Sequence, residues 1–160
     1  MKTGQRKRWV LPVCILTVLA VVCFGVYGLM LWFGSPLIPG SLERRITSQV
    51  MEHQKELSQV VQTCQESKQI PEELPLGGLV RKMDFWNGTQ AVEFFCNGWG
   101  LAPSSSYYGF YYSPAGPLGY GGAEVELTPI DGGGYRWEDS GNYGFTKEIT
   151  EDFYYYEAHF

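Results

Sequence analysis

Histidine, a common ligand of metals and a common catalytic base, is scarce in this chain of 160 residues. There are two histidines, His53 and His159, and neither belongs to a His-x-x-x-His pair. The four cysteines include no Cys-x-x-Cys pair. A protein zinc ion is usually held by three or four such ligands at close spacing. The sequence therefore predicts no metal site.

Motifs that mark nucleotide-binding, calcium-binding and hydrolytic proteins are also missing. Residues 104–106 are serines without the Gly-x-Ser-x-Gly elbow of many hydrolases, and the glycines within 119–122 lack the Lys-Ser/Thr of a phosphate loop. The acid pairs at 138–139 and 151–152 do not have the spacing of a calcium loop. We therefore predict no cofactor and no catalytic residue.

Acidic residues are absent from the first 42 positions. Cations at positions 2, 6, 7 and 8 precede residues 9–33, which carry no charge. A helix of about 20 apolar residues spans the hydrocarbon core of a membrane. We predict a cytoplasmic basic tail over 1–8 and a transmembrane signal anchor over 9–33. The remainder is expected outside, because cations stay on the cytoplasmic side.

A cleaved signal peptide is the alternative explanation of the same segment. Its apolar region would be about 7–15 residues long and would end in small residues at the cleavage site. Here the uncharged run has 25 residues and ends in Leu31, Trp32 and Phe33, which are bulky. The sequence therefore favours an uncleaved anchor and a single-pass protein of the cell membrane.

The part of the chain after residue 33 is acidic. It has 8 basic and 17 acidic residues, which gives a net charge of −9. Such a charge repels nucleic acids and anionic lipid headgroups, and it keeps an exposed domain soluble. We predict no nucleic-acid partner. Besides the membrane, the expected partner is an envelope protein or a wall polymer.

An amphipathic stalk helix is predicted over residues 41–68, after a connector over 34–40 that is rich in proline and glycine. Its apolar residues follow spacings of three and four and form one narrow stripe. The stripe suits either packing on the downstream domain or a homodimer through residues 42–64. It comprises Leu42, Ile46, Val50, His53, Leu57, Val60 or Val61, and Cys64.

After a second linker rich in proline and glycine, residues 69–78, the chain is typical of β-structure. Of its 25 aromatic residues, 20 lie between Phe85 and Phe160, and so do 13 of its 20 glycines. Aromatic rings favour pleated, half-buried surfaces, and glycine marks turns. We expect residues 79–160 to form a small antiparallel β domain, a meander or a sandwich, within an α+β protein.

Seven strands separated by turn residues are expected in this domain. Asn87-Gly88 predicts a type I′ hairpin between the first two strands. Residues 97–100 and 103–106 predict a loop before the third strand. The expected strands are 79–86, 89–96, 107–112, 124–130, 135–138, 145–149 and 153–160.

The cysteines occupy two settings. Cys14 and Cys23 lie inside the predicted span, where they act as small apolar side chains. Cys64 and Cys96 lie in the predicted external part, where oxidation is permitted. A Cys64–Cys96 disulfide and two free thiols are both compatible with the sequence, because spacing alone does not reveal the geometry that a bridge needs.

An excess of aromatic residues is the one feature that points to a binding surface. Exposed rings beside an acid and an imidazole could stack on a sugar or grip a peptide. The alternative is that both faces of the sheet are covered, by the helix or by a second sheet. The candidate binding face comprises Tyr107, Tyr111, Phe153, Tyr155, Glu157 and His159.

Three segments, GFYYSP at 109–114, YRW at 135–137 and FYYYE at 153–157, resemble small uncharacterised membrane-anchored proteins of Gram-positive anaerobes. The resemblance covers about the last fifty residues. It implies anchoring in the membrane and adds no catalytic residue. We prefer a non-enzymatic ectodomain that binds an envelope protein or polymer. The alternative is a cell-envelope hydrolase that uses Glu157 and His159 or the acidic turns.

Overall fold

The computed structural model describes residues 4–101 and 104–160, so positions 1–3 of the predicted tail and Pro103 of the predicted loop lie outside the described residues. The chain divides into two units, residues 1–42 and 43–160. In the first unit, helix α1 runs Gly4–Phe33. Its segment Cys14–Trp32 is long and apolar enough to cross a membrane, and none of that segment is buried. Signal sequences share this length and composition.

The chain turns after α1 through two glycines with positive φ, Gly34 at 69° and Gly40 at 71°. Ser41 holds this connector together, because its hydroxyl donates to the Ser35 carbonyl at 2.8 Å and accepts the Ser35 N–H at 2.9 Å. Helix α2, Ser41–Glu52, begins at the same serine. The Ser41 hydroxyl therefore stabilises the turn that precedes α2.

The single helix predicted over 41–68 is two helices in the structure, α2 and α3, Gln54–Ser67. His53 separates them with φ −110° and ψ 21°, far from the helical values of about −63° and −42°. Its backbone N–H donates to the Gln49 carbonyl at 3.0 Å, and its ring nitrogen Nδ1 lies 3.1 Å from the same oxygen. Regular helix is thus interrupted at the polar residue of the predicted stripe.

Seven strands form one antiparallel sheet in the described part of the chain, which confirms an α+β protein with an antiparallel β domain. The strands are β1 Lys82–Phe85, β2 Val92–Leu101, β3 Ser104–Tyr112, β4 Thr128–Pro129, β5 Tyr135–Asp139, β6 Asn142–Thr150 and β7 Phe153–His159.

The order of the strands is β1-β2-β3-β7-β6-β5-β4. The first three strands form one meander. Residues 113–127 then carry the chain across the sheet to β4 at the far edge, and β5, β6 and β7 return to the centre, where β7 pairs with β3. The expectation of a simple meander or a sandwich is therefore wrong, because the second meander starts at the opposite edge and joins the first in one sheet.

Two predicted strand boundaries differ from the observed ones because of how far the pairing with the next strand extends. Residues 124–130 alternate like a strand, yet only Thr128 and Pro129 pair, at the short edge with β5. Residues 97–100, predicted as a loop, continue β2 because they pair with the start of β3.

The hairpin predicted around Asn87-Gly88 forms, because β1 pairs with β2, but its turn is not of type I′. Strand β1 ends at Phe85 and β2 begins at Val92, so the connection is longer than two residues. Gly88 has φ 75° while Asn87 does not have positive φ, which a type I′ turn requires at both positions. The backbone N–H and the hydroxyl of Thr89 both donate to the Trp86 carbonyl, at 3.2 and 3.0 Å.

The two faces of the sheet have different covers in the second unit. Helices α2 and α3 lie on one face, here named the helix face, where Lys147 of β6 pairs with Glu43 at 3.0 Å. Residues 113–127 cross the other, here named the loop face. The helix-face core includes Ile46, Val50, Leu57, Val61, Cys64, Val92, Phe94, Phe110, Phe153 and Tyr155. The loop-face cluster comprises Trp86, Ala91, Tyr111, Tyr154 and Tyr156, with Tyr107, Leu118 and Tyr120 packed against it.

The apolar stripe of the helices is buried within its own chain. Ile46, Val50 and Leu57 have no exposed surface. This is the first of the two alternatives that the sequence leaves open, packing on the downstream domain. A second copy approaching residues 43–64 would meet the polar side of the helices.

Candidate binding site at the open end of the helix face

The predicted binding residues do not share one surface. Side chains alternate along each strand, so Tyr107 and Tyr111 lie on the loop face while the four residues from β7 lie on the helix face. Tyr111, Phe153 and Tyr155 expose 0%, 1% and 2% of their surface. The prediction of one exposed aromatic face is therefore wrong, and these three rings belong to the two cores.

Tyr111 fastens the crossing segment to the sheet. Its hydroxyl accepts the Leu118 N–H at 2.8 Å and lies 2.7 Å from Thr146 Oγ1. Thr146 in turn donates to the Tyr155 carbonyl at 3.1 Å, so the Tyr111 hydroxyl donates to Thr146. Burial raises the pKa of Tyr111 to about 12. This network stabilises the fold and leaves no group for a ligand.

Glu93, a buried carboxyl on the loop face, is also hydrogen-bonded. The Tyr156 hydroxyl donates to Glu93 Oε1 at 2.5 Å. Burial raises the pKa of Glu93, although hydrogen bonds from Tyr156 and Trp86 act in the opposite direction. Burial also raises the pKa of Tyr156. Both groups lie within the loop-face cluster or beside it, so we assign them a structural role.

The exposed candidate site is a row of four paired residues at one end of the helix face, here named the terminal row. Trp99 of β2 pairs with Ser106 of β3, Ser106 pairs with His159 of β7, and His159 pairs with Tyr143 of β6. The Trp99 side chain is 56% exposed. The terminal row thus combines exposed aromatic surface with a hydroxyl and an imidazole.

A β-bulge places Trp99 in the terminal row. The pairing register of β2 shifts between Phe95 and Asn97, leaving one extra residue, Cys96. An extra residue reverses which face the following side chains occupy. Gly98 consequently lies on the loop face, where an added Cβ would stand 3.3 Å from the Phe95 and Tyr107 rings. Without the bulge, Trp99 would lie on the face opposite to His159.

Ser106, His159 and Glu157 form a hydrogen-bonded chain. Ser106 Oγ lies 2.7 Å from His159 Nδ1, and His159 Nε2 lies 2.7 Å from Glu157 Oε1. The Tyr155 hydroxyl donates to the second carboxylate oxygen of Glu157 at 3.4 Å. The side chains of His159 and Glu157 are 22% and 32% exposed, so both face solvent in part.

Aromatic rings hold the imidazole in place. The Tyr143 ring stacks on His159 with centroids 4.6 Å apart, and the Tyr108 ring meets it edge-on at 6.3 Å. The Arg136 guanidinium lies 5.6 Å from the centroid of the Tyr143 ring. Burial raises the pKa of Tyr108, and the charge of Glu157 raises it further.

The helix face opens toward the terminal row because its helical cover ends. Glu43 lies beside Lys147, which pairs with Tyr155 in the sheet. Tyr155 is buried, whereas Glu157 and His159, two and four residues further along β7, are partly exposed. Position along a single strand therefore separates core from candidate site.

Of the two acid pairs proposed for an enzymatic alternative, one ends strand β5 and the other forms a hairpin turn. Glu138 pairs with Arg136 at 2.6 Å, and Asp139 accepts the Ser140 hydroxyl at 2.9 Å, both next to the terminal row. Residues 151–152 form the β6–β7 turn, at the opposite end of β7. Within the described ranges, no group of three or more His, Cys, Asp or Glu side chains could hold a metal ion.

The Cys64–Cys96 disulfide considered from the sequence is not formed, and both residues are buried free thiols. Burial raises the pKa of Cys96 to about 12, which makes its thiolate a minor species.

Sequence reasoning found His159 and Glu157 but missed Ser106, Trp99 and Tyr143. The missing signal is the register of strands that are distant in sequence, since Ser106 and His159 meet only after β3 pairs with β7.

Comparisons of the chain with protein-family models, with curated proteins and with solved structures found no match.

Proposed function

We propose that this chain is a membrane-anchored protein whose second unit lies outside the cytoplasm and binds a neutral carbohydrate polymer of the cell envelope. The terminal row is the proposed binding site. The observation that carries the proposal is Trp99, an exposed indole beside Ser106 and His159. It has no aromatic ring partner among the residues that the structure describes.

Anchoring is supported by α1, whose apolar segment is long enough to cross a membrane. The four cations at positions 2, 6, 7 and 8 favour a cytoplasmic N-terminus. The resemblance of the C-terminal segments to membrane-anchored proteins agrees with this arrangement. The polymer is therefore sought on the external side of the membrane.

A carbohydrate fits the terminal row because sugars present apolar C–H faces beside hydroxyl groups. The Trp99 indole offers a broad apolar surface for the first. Ser106 Oγ and the carboxylate of Glu157 offer hydrogen bonds for the second. The net charge of −9 after residue 33 disfavours an anionic polymer, so we propose a neutral one.

The shape of the site favours a polymer over a small molecule. Four neighbouring strands at a spacing of about 4.8 Å give a row of about 14 Å. Small ligands usually bind in concave pockets that bury most of their surface. An open row across strands instead accommodates a chain lying over the sheet.

Sedimentation with an insoluble polymer tests the site. Full-length chain in detergent would be mixed with chitin, a neutral polysaccharide, and with a carboxylated polysaccharide of similar particle size. We expect binding to chitin that Trp99→Ala weakens at least about tenfold, or about 1.4 kcal/mol. Ile130→Ala, which removes another exposed apolar side chain at the far edge turn, should bind like the wild type. Equal binding by both variants would contradict the proposed site.

Protease added to intact cells tests the topology. We expect removal of residues 43–160 while a tag on Met1 survives. Digestion of the tag with survival of the C-terminal unit would reverse the proposed orientation and exclude an external polymer as ligand.

A further inference from the structure

The chain Ser106–His159–Glu157 has the connectivity of a nucleophile, a base and a group that orients the base. Both hydrogen bonds to the imidazole measure 2.7 Å. A carboxylate can only accept, so Nε2 of His159 carries the proton that Glu157 receives. Nδ1 is then unprotonated and accepts the Ser106 hydroxyl. This tautomer is the one that can remove a proton from Ser106.

The imidazole and the carboxylate are held from several sides. Tyr143 stacks on the His159 ring and Tyr108 abuts its edge, which limits its rotation. The buried Tyr155 donates to Glu157 from the core. Two adjacent strands supply all three polar groups, and sites on strands keep their geometry better than sites on loops.

We propose that Ser106 is a nucleophile that accepts the acyl group of a carboxylic ester, with His159 as its base and Glu157 as the positioning residue. Ser106 is partly exposed beside Trp99, so an ester lying on the indole reaches its hydroxyl. The reactivity of Ser106 is independent of the proposed polymer. The more specific substrate class, an O-acyl ester of a neutral carbohydrate, rests on the proposed function of the terminal row.

The reaction proceeds in two balanced halves. As Ser106 Oγ attacks the carbonyl carbon of the ester, its proton moves to His159 Nδ1. The bond from that carbon to the alcohol oxygen then breaks, and Nδ1 returns the proton to the leaving alcohol, which leaves acyl-Ser106. A water molecule gives a proton to Nδ1 and attacks the acyl-serine. The carboxylic acid departs and Ser106 regains its hydrogen.

A fluorophosphonate probe tests the nucleophile directly, since a reactive serine displaces fluoride from its phosphorus. Full-length chain in detergent would be incubated with the probe and analysed by intact mass and peptide mapping. We expect one adduct, on Ser106, and none in Ser106→Ala. Ser105→Ala is the matched control, because its hydroxyl lies 3.5 Å from the Tyr107 hydroxyl and takes no part in the chain. It should label like the wild type.

The base and the positioning residue give graded results. We expect His159→Gln to slow labelling by about 10²–10⁴-fold, the usual contribution of a general base. Glu157→Gln should slow it at least about tenfold, and Glu157→Asp should recover part of that loss, which a merely structural role would not produce. Thermal unfolding of each variant checks that the fold persists. If a histidine variant does not fold, the difference in labelling between Ser105→Ala and Ser106→Ala tests the proposal instead.

Failure of this proposal and failure of the proposed function are distinguishable. A wild-type chain without an adduct on Ser106, under conditions that label a known serine hydrolase, would overturn the nucleophile whatever the chitin result. Equal labelling of wild type and Ser106→Ala would do the same. A labelled Ser106 together with no chitin binding would keep the nucleophile and remove the carbohydrate as its substrate.

Discussion

Strand β7 contains a core and a candidate site within seven residues, and the two regions differ in what covers them. Phe153 and Tyr155 are buried under the helices on the helix face. Glu157 and His159 lie on the same face and alternate in the same way, yet they are partly exposed. The difference does not come from the strand, because the alternation is identical along its length.

Residues distant in sequence therefore decide which part of a strand is available to a ligand. Ile46 and Val50 of α2 help to bury the central rings of the helix face. At the terminal row no such cover is present in the second unit, and polar groups instead satisfy one another through Ser106, His159 and Glu157. We therefore expect substitutions in the two regions to affect different properties.

The largest loss in the free energy of unfolding should come from removing a large side chain in the covered region. Phe110 is fully buried and its ring stacks on Phe94 with centroids 4.5 Å apart. Phe110→Ala should lower the free energy of unfolding by about 3–5 kcal/mol, because it removes apolar burial and leaves a cavity. Trp99→Ala, in the open region, should change it by less than about 0.5 kcal/mol. Urea unfolding of the full chain in detergent measures both, and equal losses would erase the distinction between the regions.

A smaller effect is expected where the loop face is fastened. Tyr111→Phe keeps the ring and removes the hydroxyl that accepts the Leu118 N–H and donates to Thr146. Loss of these buried hydrogen bonds should cost about 1–3 kcal/mol. Hydrogen exchange at Leu118 should also accelerate, because residues 113–127 lose an attachment to the sheet. Tyr107→Phe is the control, since its hydroxyl has only a 3.5 Å contact. Matching losses in the two variants would show that the network does not fasten the crossing segment.

The smallest expected effect concerns the pH dependence of the free energy of unfolding. Burial raises the pKa of Glu93 above its ordinary value of 4.5, with the charge of Lys82 lowering it and that of Asp84 raising it to smaller extents. The folded chain then holds this proton more tightly than the unfolded chain. The contribution of protonated Glu93 to the free energy of unfolding is complete below pH 4.5. It is lost as the pH rises through the raised pKa.

Glu93→Gln remains uncharged across that range. We therefore expect its free energy of unfolding to fall less than that of the wild type as the pH rises from about 4 to about 7. The exposed carboxyls titrate in both proteins, so their effect cancels when the free energy of unfolding of the variant is subtracted from that of the wild type at each pH. A wild-type chain that gains stability relative to Glu93→Gln over the same range would contradict a raised pKa.

Much of the architecture followed from local patterns, and the candidate site followed only in part. The acid-free N-terminus and the uncharged run over 9–33 predicted a helix long and apolar enough to span a membrane, and α1 is such a helix. The density of aromatic residues and glycine predicted the antiparallel sheet. The predicted boundaries failed at 97–100 and 124–130, where the extent of pairing with the next strand overrode the local turn and strand signals.

The sequence by itself determined the apolar helix, the acidic remainder and the aromatic β domain, because composition and spacing act over a few neighbouring residues. The tertiary structure decided which aromatic rings became core and which remained exposed. It joined Ser106 to His159 by pairing β3 with β7, and the bulge at Cys96 turned Trp99 onto the same face. The cover and the β3–β7 register arise from contacts between segments far apart in the chain, and neither they nor the bulge leave a local periodic signal.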